Sequence, residues 1–412
     1  MKPGYLSQYF DGIALKRLSV VEADVIRSNQ HEFNGVEGLR DILGEPDGKV
    51  RFGAKFLYLT DQDDEPIVVE DGFLTWYDAR QKARLERGIM RFEYRLYFPT
   101  NLVSQCAAAG DLLVIAKRAD NTLLAIVAEK DTTIERQIMW LFGFSDLPHP
   151  GFSIKSELET EQDRIGFAAR VILEQIGVVA EEQAPNYLDQ MLEMFSGAFP
   201  KTMEFSCYAR STIRDLSSRD DPDVALMAWM DREEILFRTL EKHLLGEKLR
   251  SLTQTGVEDT EPFIKLVQSA LQRRKSRAGS ALENHLEKIF ADHGVTYTRT
   301  GVTENRLKPD FIFPGIVHYH DGAFPQTRLT MLAAKSTCKD RWRQILNEAA
   351  RIPDKHLLTL EPSISENQTN EMKNERVQLV LPQGLHQTYT ATQQAWLMNI
   401  ADFTELALQR QI

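Results

Sequence analysis

Asp310, Lys335 and Glu348 have the types and spacing that metal-assisted phosphodiester hydrolysis asks for. That chemistry needs hard oxygen ligands to hold an ion such as Mg²⁺. It needs an attacking water made more nucleophilic by the ion. It also needs a cation beside the attacked phosphate. An acid at a strand start, a lysine at the end of a neighbouring strand and an acid reaching back from the next helix supply these parts. Each residue alone has an ordinary reading. Pro309-Asp310 is a common turn, a strand-end lysine snorkels along apolar surface, and a helix glutamate is usually solvated.

Two further sets lie close by in sequence. Glu283 is a fourth candidate acid, but Ser280-Ala281-Leu282-Glu283 also fits a capping box, with Glu283 bonding the Ser280 N–H. Lys339-Asp340-Arg341 opens the helix expected after Lys335. Arg and Lys match guanine N7 and O6, and Asp accepts from cytosine N4, so the triplet suits adjacent G·C pairs. The plainer reading is a charged helix start, where Asp340 favours the positive end of the helix dipole.

The elements that must position these groups follow from periodicity. Leu329–Ser336 is apolar on both faces, as a central strand is, and Lys335 alternates in step with Met331 and Ala333. Asp310–Phe313, His356–Leu360 and Val377–Leu381 read as further strands. Trp342, Ile345, Leu346 and Ala349 form a helical stripe with Glu348 at its edge, and Leu282, Leu286, Ile289 and Phe290 form another that Gly294 stops. Ala391–Leu408 reads as a closing helix. The last third is therefore expected to be α/β with a mixed sheet. Before residue 150 the pattern is different. Val50–Leu59, Phe73–Trp76, Ile89–Phe98, Leu112–Ala116 and Leu123–Ala128 read as short strands between turn signals, with one clear helix at Thr132–Phe142. Between them, Lys155–Ile176, Asn186–Phe195, Asp223–Leu245 and Pro262–Leu271 are helix-like, and Ser217–Pro222 reads as an exposed linker.

Bulk properties set limits. A chain of 412 residues has room for two or three cores. Its apolar runs are too short to cross a bilayer, and no signal design opens it, so a cytoplasmic setting is expected. Cys106, Cys207 and Cys338 form no zinc-like cluster and read as buried free thiols. The net charge of −11 speaks against bulk attraction to nucleic acid. Local patches do not follow the average: Arg80–Arg95 is rich in cations, and Arg273-Arg274-Lys275-Ser276-Arg277 holds four in five residues.

Several long segments resemble one family. RRKSRAGSALENHLEKIF (273–290), KPDFIFP (308–314), HYHD (318–321) and MLAAKSTCKDRWRQILNEA (331–349) resemble the catalytic domain of EcoRII-type restriction endonucleases, members of the PD-(D/E)XK nucleases. The resemblance implies a metal site in which the final acid comes from a helix about a dozen residues after the lysine, matched by Asp310, Lys335 and Glu348. It places Glu283 among the metal ligands and puts Tyr319 and Lys339 at the active site. It makes KDRWRQ (339–344) a base-reading segment for CC and GG steps, with Lys275 beside the DNA. FPKTMEFSCYAR (199–210) belongs to the same likeness. More distantly, residues 14–19 through 29–31 and 82–92 resemble the two recognition arms of the family's B3-like effector-binding pseudobarrel. His31, Lys82, Arg84 and Glu86 match as DNA contacts, whereas Gly88 stands where the family has an arginine. The implied organisation is an all-β B3-like domain over 1–150, a helical connector over 151–215 and an α/β nuclease domain over 216–412. The implied activity is Mg²⁺-dependent double-strand cleavage by a homodimer, with a second DNA copy as effector relieving autoinhibition. Two alternatives remain at this point: a nuclease that senses modified DNA, and a DNA-binding regulator whose nuclease domain is inactive.

Overall fold

A computed structural model describes residues 2–24, 31–61, 68–88, 90–147, 150–180, 184–254 and 260–411, with backbone only at 253, 254, 339 and 340. The chain divides into two compact units. The first comprises residues 1–180 with 363–365, and the second 181–362 with 366–412. The sequence reading has a separate connector over 151–215; here 151–180 lies in the first unit and 184–215 in the second.

The first unit is built on an eight-stranded sheet among the described residues: β1 (Phe10–Arg17), β2 (Glu32–Asn34), β3 (Lys49–Leu59), β4 (Val68–Asp78), β5 (Tyr94–Tyr97), β6 (Leu112–Arg118), β7 (Leu123–Ala128) and β8 (Ser153–Lys155). Their order is β2-β5-β4-β3-β7-β6-β1-β8. Alternation sorts β6 and β7 onto two cores. Leu113, Ile115, Leu123, Ala125 and Val127 face one cluster, while Leu112, Val114, Leu124 and Ile126 face the other. The first cluster also takes side chains from β1 to β5, and a small cavity in it is lined together by Leu18 and Leu113 from one end of the sheet order and Phe33 and Phe98 from the other. The sheet therefore curls about this core. The second core is closed by helices Thr133–Leu141 and Phe167–Gln175, which contribute Ile134, Ile138, Ile172 and Leu173. That second core corrects the all-β expectation: strands buried on both faces need a helical layer on one of them. It also explains why 151–180 stays with this unit.

Other local expectations change. Lys155–Ile176 is not one helix; it begins at the end of a strand, passes a 3₁₀ turn at Glu161–Asp163, and is α-helical only over Phe167–Gln175. The segment read as strand Ile89–Phe98 is strand only over Tyr94–Tyr97, and Gln81–Arg87 before it is a helix that Gly88 closes at φ +66°. Ile89, and Asn29-Gln30 of the first arm, lie outside the described residues.

The second unit holds a five-stranded mixed sheet among the described residues: β9 (Thr298–Arg299), β10 (Phe311–Phe313), β11 (Thr330–Lys335), β12 (Lys355–Thr359) and β13 (Val377–Val380), in the order β13-β12-β11-β10-β9. β11 is the middle strand, as its two apolar faces predict, parallel to β12 and antiparallel to β10. Phe290 packs edge-on against Phe311 and Phe313, and Phe403 edge-on against Phe313, with ring centroids 5.2–5.6 Å apart. Two long helices, Pro222–Gln254 and Glu261–Asp292, run against Thr202–Ser211. The second of these is continuous, so Ser280 is mid-helix and no capping box forms with Glu283. The C-terminal helix is broken into Ala391–Gln394 and Ile400–Gln411. The expected linker at 217–222 is a packed turn: Ser218 is buried and its hydroxyl donates to Asp292 at 2.5 Å. Of the three cysteines, Cys338 is buried as expected, but Cys106 and Cys207 are exposed. No helix of the described residues is long and apolar enough to cross a membrane.

Asp223 ties the first long helix to the last. Its carboxylate accepts from the N–H groups of Gln383 (2.9 Å), Ile400 (2.9 Å) and Ala401 (3.1 Å), and so caps the start of the final helix from a distant part of the chain. Replacing it by alanine strands buried donors, and Asp223→Ala is expected to cost about 2–3 kcal/mol. Urea unfolding checks this; a midpoint equal to wild type would refute it.

Candidate active site

Asp310 stands one residue before β10, and the register Phe311↔Leu332 sets it beside the end of β11. There its Oδ2 accepts from the Ala334 N–H and from Lys335 Nζ, both at 2.8 Å. Lys335 is the first residue of β11 to leave the core, so its stem stays covered while its ammonium meets the carboxylate.

Glu283 projects from the Glu261–Asp292 helix toward β9. Arg299 donates to its Oε2 from Nη2 at 2.8 Å and from Nε at 3.1 Å. The same guanidinium reaches Glu287 at 3.1 Å and Asn284 Oδ1 at 2.9 Å, and Asn284 in turn donates to Ser206 Oγ at 3.0 Å. Burial pushes the Glu283 carboxyl above the ordinary range, and the charge of Asp310 pushes the same way against Arg299 and Lys335. Glu348 behaves alike: burial raises it, Lys335 opposes, and Asp310 adds to the rise. Four of the sequence-chosen residues thus share one electrostatic site.

The placement of Glu348 differs from expectation. Residues Lys339–Asn347 form a 3₁₀ helix, and Glu348 follows as its extended C-cap at φ −78°, ψ 146°. The chain then turns through Ala349 at φ +47°, a left-handed conformation that costs an L-residue roughly 1–2 kcal/mol.

Tyr319 is buried, and its hydroxyl is engaged away from the Asp310–Lys335 pair. It donates to Glu304 Oε2 at 2.5 Å and accepts from the Arg351 N–H at 3.2 Å. Burial and the Glu304 bond push its phenol up to about 12. The structure therefore gives Tyr319 a place among the groups that hold the 349–351 turn.

Three charge-bearing residues escaped the sequence reading: Arg299, Glu304 and Lys355. Arg299 sits in a two-residue strand too short to show a period. Lys355 opens β12 and looks, in sequence, like a solvated strand end; in the fold it is buried.

The basic run before Glu283 is largely consumed internally. Arg274 pairs with Glu241 at 2.7 Å, Arg277 with Glu233 at 3.2 Å and also with Glu234, and Arg273 lies over the Phe199 ring at 4.1 Å. Lys275 is exposed. Arg341 is half-buried, while the side chains of Lys339 and Asp340 lie outside the described residues.

In the first unit, Lys82, Arg84 and Glu86 ride on the helix Gln81–Arg87, where a strand-like arm is expected. Arg84 is held by Asp78 at 2.7 Å and stacks on Phe92 at 3.8 Å; Lys82 and Glu86 are exposed, 3.9 Å apart. His31 is half-buried beside Phe98 and lines an open groove with Ala23, Asp24, Thr100 and Ser104.

Among the described residues, no three His, Cys, Asp or Glu side chains already stand together as a metal cage. Glu283 is turned to Arg299 and Asp310 to Lys335. The donor set still fits a hard divalent cation. Its oxygens come from carboxylates, and two of these acids carry a cost from burial and from a like charge that a bound cation would relieve.

Part of the chain is similar to known proteins. Residues 237–404 match the family model described as EcoRII C terminal. The type II restriction enzyme EcoRII of Escherichia coli is 41% identical over 232 residues, which is 55% of this chain and 55% of that protein. The chain thus spans about half the length of the curated relative it matches. Two solved structures align more distantly. Metal-depleted Ecl18kI in complex with uncleaved, modified DNA has a TM-score of 0.45 and 19% identity, covering 56% of this chain and 85% of that one. A PspGI–substrate DNA complex has a TM-score of 0.41 and 15% identity, covering 52% and 93%. Residues 237–404, which contain Glu283, Asp310, Lys335 and Glu348, are thus the part of the chain that is similar to the C-terminal domain of EcoRII-type restriction endonucleases.

Proposed function

We propose that the chain is a type II restriction endonuclease that makes Mg²⁺-dependent double-strand breaks at a G·C-rich site with CC/GG steps. One observation carries the reading: the Asp310–Lys335 pair at 2.8 Å, with Glu283 and Glu348 under its field, inside the EcoRII C-terminal match. Asp310, Glu348 and Glu283 would hold the metal. When bound, it supplies Lewis-acid stabilisation of the phosphate and activation of water. Lys335 is the fixed cation beside the attacked phosphate, and Asp310 keeps its ammonium pointed there. Tyr319 acts through the turn after Glu348. Lys339, Asp340 and Arg341 read bases, and Lys275 contacts the DNA backbone.

Cutting both strands of a two-fold site calls for a homodimer. The first unit is read as a B3-like effector domain binding a second DNA copy through His31, Lys82, Arg84 and Glu86. Support comes from the curled sheet and from exposed Lys82, Arg87 and Arg91 beside exposed Leu85 and Met90. A cytoplasmic setting goes with this role.

Asp310→Asn and Lys335→Ala are each expected to abolish Mg²⁺-dependent cleavage of duplex DNA while leaving binding, measured by gel shift in Ca²⁺, within a few-fold. Sequencing the ends of a genomic digest gives site and cut position together. Wild-type cutting by either variant overturns the assignment. Asp340→Ala should relax cytosine selection by about 1–3 kcal/mol for the lost contact; an unchanged site preference in end sequencing counts against base reading. Adding a short duplex that carries the site should speed cleavage of a single-site substrate several-fold. A rate independent of that duplex removes the effector role.

A further inference from the structure

The turn that follows Glu348 is held by side chains at four successive backbone positions. Lys355 Nζ donates to the carbonyl oxygens of Glu348 and of Ala349, the latter at 2.8 Å. Thr303 Oγ1 accepts from the Ala349 N–H at 3.5 Å, Glu304 Oε2 from the Ala350 N–H at 3.2 Å, and the Tyr319 hydroxyl from the Arg351 N–H at 3.2 Å. Glu304 and Tyr319 are themselves bonded. One acid and two hydroxyls take the N–H groups; the lysine takes both carbonyls.

Lys355 is the unusual member. A lysine that is 5% exposed is expensive to bury and normally pairs with a carboxylate. This one donates to backbone carbonyls, one of them that of Glu348 itself. Its own backbone is fixed in β12, whose register with β11 (Leu332↔His356, Lys335↔Thr359) ties it to the strand carrying Lys335. The ammonium therefore links a rigid strand to an irregular turn whose Ala349 is in a conformation that would not persist unaided.

We infer that Lys355 is a positioning residue: by clamping the carbonyls of Glu348 and Ala349 it fixes the Glu348 carboxylate for the divalent cation. The inference rests on the nuclease reading for its biological meaning. Its direct test is cation binding, which can be measured without cleavage.

Mg²⁺ and Mn²⁺ binding to the full chain, by titration calorimetry and by Mn²⁺ electron paramagnetic resonance, would be compared for wild type, Lys355→Met, Lys355→Gln, Glu348→Gln and the Glu348→Gln/Lys355→Met pair. Loss of an outer partner of a metal ligand typically costs 10–100-fold in affinity. Lys355→Met should fall in that range. Lys355→Gln keeps an uncharged N–H donor group on a shorter side chain and should fall between it and wild type. The double variant should bind no more weakly than Glu348→Gln alone, because the lysine acts only through that acid. A purely structural lysine would give additive losses instead, and additive losses overturn the inference. So does wild-type affinity in Lys355→Met. Should Lys355→Met fail to fold, Lys355→Gln decides: affinity equal to wild type refutes the role, and a several-fold loss absent in the Glu348→Gln background supports it. A wild type that binds no divalent cation refutes the inference outright. A wild type that binds the cation with this pattern but cuts no DNA refutes the nuclease reading and leaves Lys355 as a positioning residue.

Discussion

The contact between Asp310 and Lys335 depends on one register. β10 and β11 are antiparallel with Phe311 opposite Leu332, and this alone brings Asp310 to the Ala334 N–H and the Lys335 ammonium. A one-residue slip of β11 would turn Lys335 into the apolar layer and expose its neighbours. The slip is resisted because Met331, Leu332 and Ala333 are fully buried. The same packing makes the pair mutually dependent. Removing one partner leaves the other charge partly desolvated, which costs more than the pair contributes. Each acid of the site follows a similar rule. Asp310 has Lys335, Glu283 has Arg299, and Glu348 has Lys355 at its backbone.

The helix that carries Glu283 is fixed by a second polar system. Arg277 bonds Glu233, and His285 Nε2 lies 3.0 Å from the same glutamate. Arg210 Nη1 lies 2.9 Å from His285 Nδ1. Because a guanidinium can only donate, this places the acceptor nitrogen of a neutral imidazole toward Arg210 and its N–H toward Glu233. Burial holds the His285 pKa below the ordinary value, which agrees. Such a network tolerates few alternative registers among three helices, since any slip strands buried charges. Glu283 then inherits its position from polar contacts on two sides, the His285 network and the Arg299–Asn284–Ser206 chain.

Much of this was legible from periodicity and little from three-dimensional pairing. Both faces of β11 were readable as apolar, so its central place followed, and with it the exit of Lys335 from the core. Gly294 marked the end of the Glu261–Asp292 helix. The same sequence misled at Ser280, where a good capping box sits inside a continuous helix; there the local signal yields to a helix already nucleated upstream. Trp342 and Ile345 repeat at helical spacing and so suggest a helix through Glu348, but a 3₁₀ helix keeps nearly the same spacing over two turns. In the first unit, Lys82–Glu86 alternates polar and apolar residues as a strand does, yet it is helical. Arg299 and Lys355 gave no signal, because what distinguishes them is where their heads go.

Charge counting in particular needs the fold. The runs at 80–95 and 273–277 suggest basic surfaces, yet Arg80, Arg84, Arg95, Arg274 and Arg277 are all paired with acids of their own unit. The cations at the site are committed as well: Lys335, Arg299 and Lys355 offset three carboxylates that would otherwise repel a polyanion and one another. On the proposed nuclease reading, a chain with net charge −11 that is to hold a phosphodiester against Glu283, Asp310 and Glu348 cannot rely on bulk attraction. On the same reading, local attraction falls to groups such as the exposed Lys275, and specificity to base-edge geometry. A divalent cation would join the two halves of the problem, lowering the repulsion among the acids and between them and the phosphate. On this reading the same carboxylate cluster that requires internal cations to fold is what makes metal binding and DNA engagement interdependent.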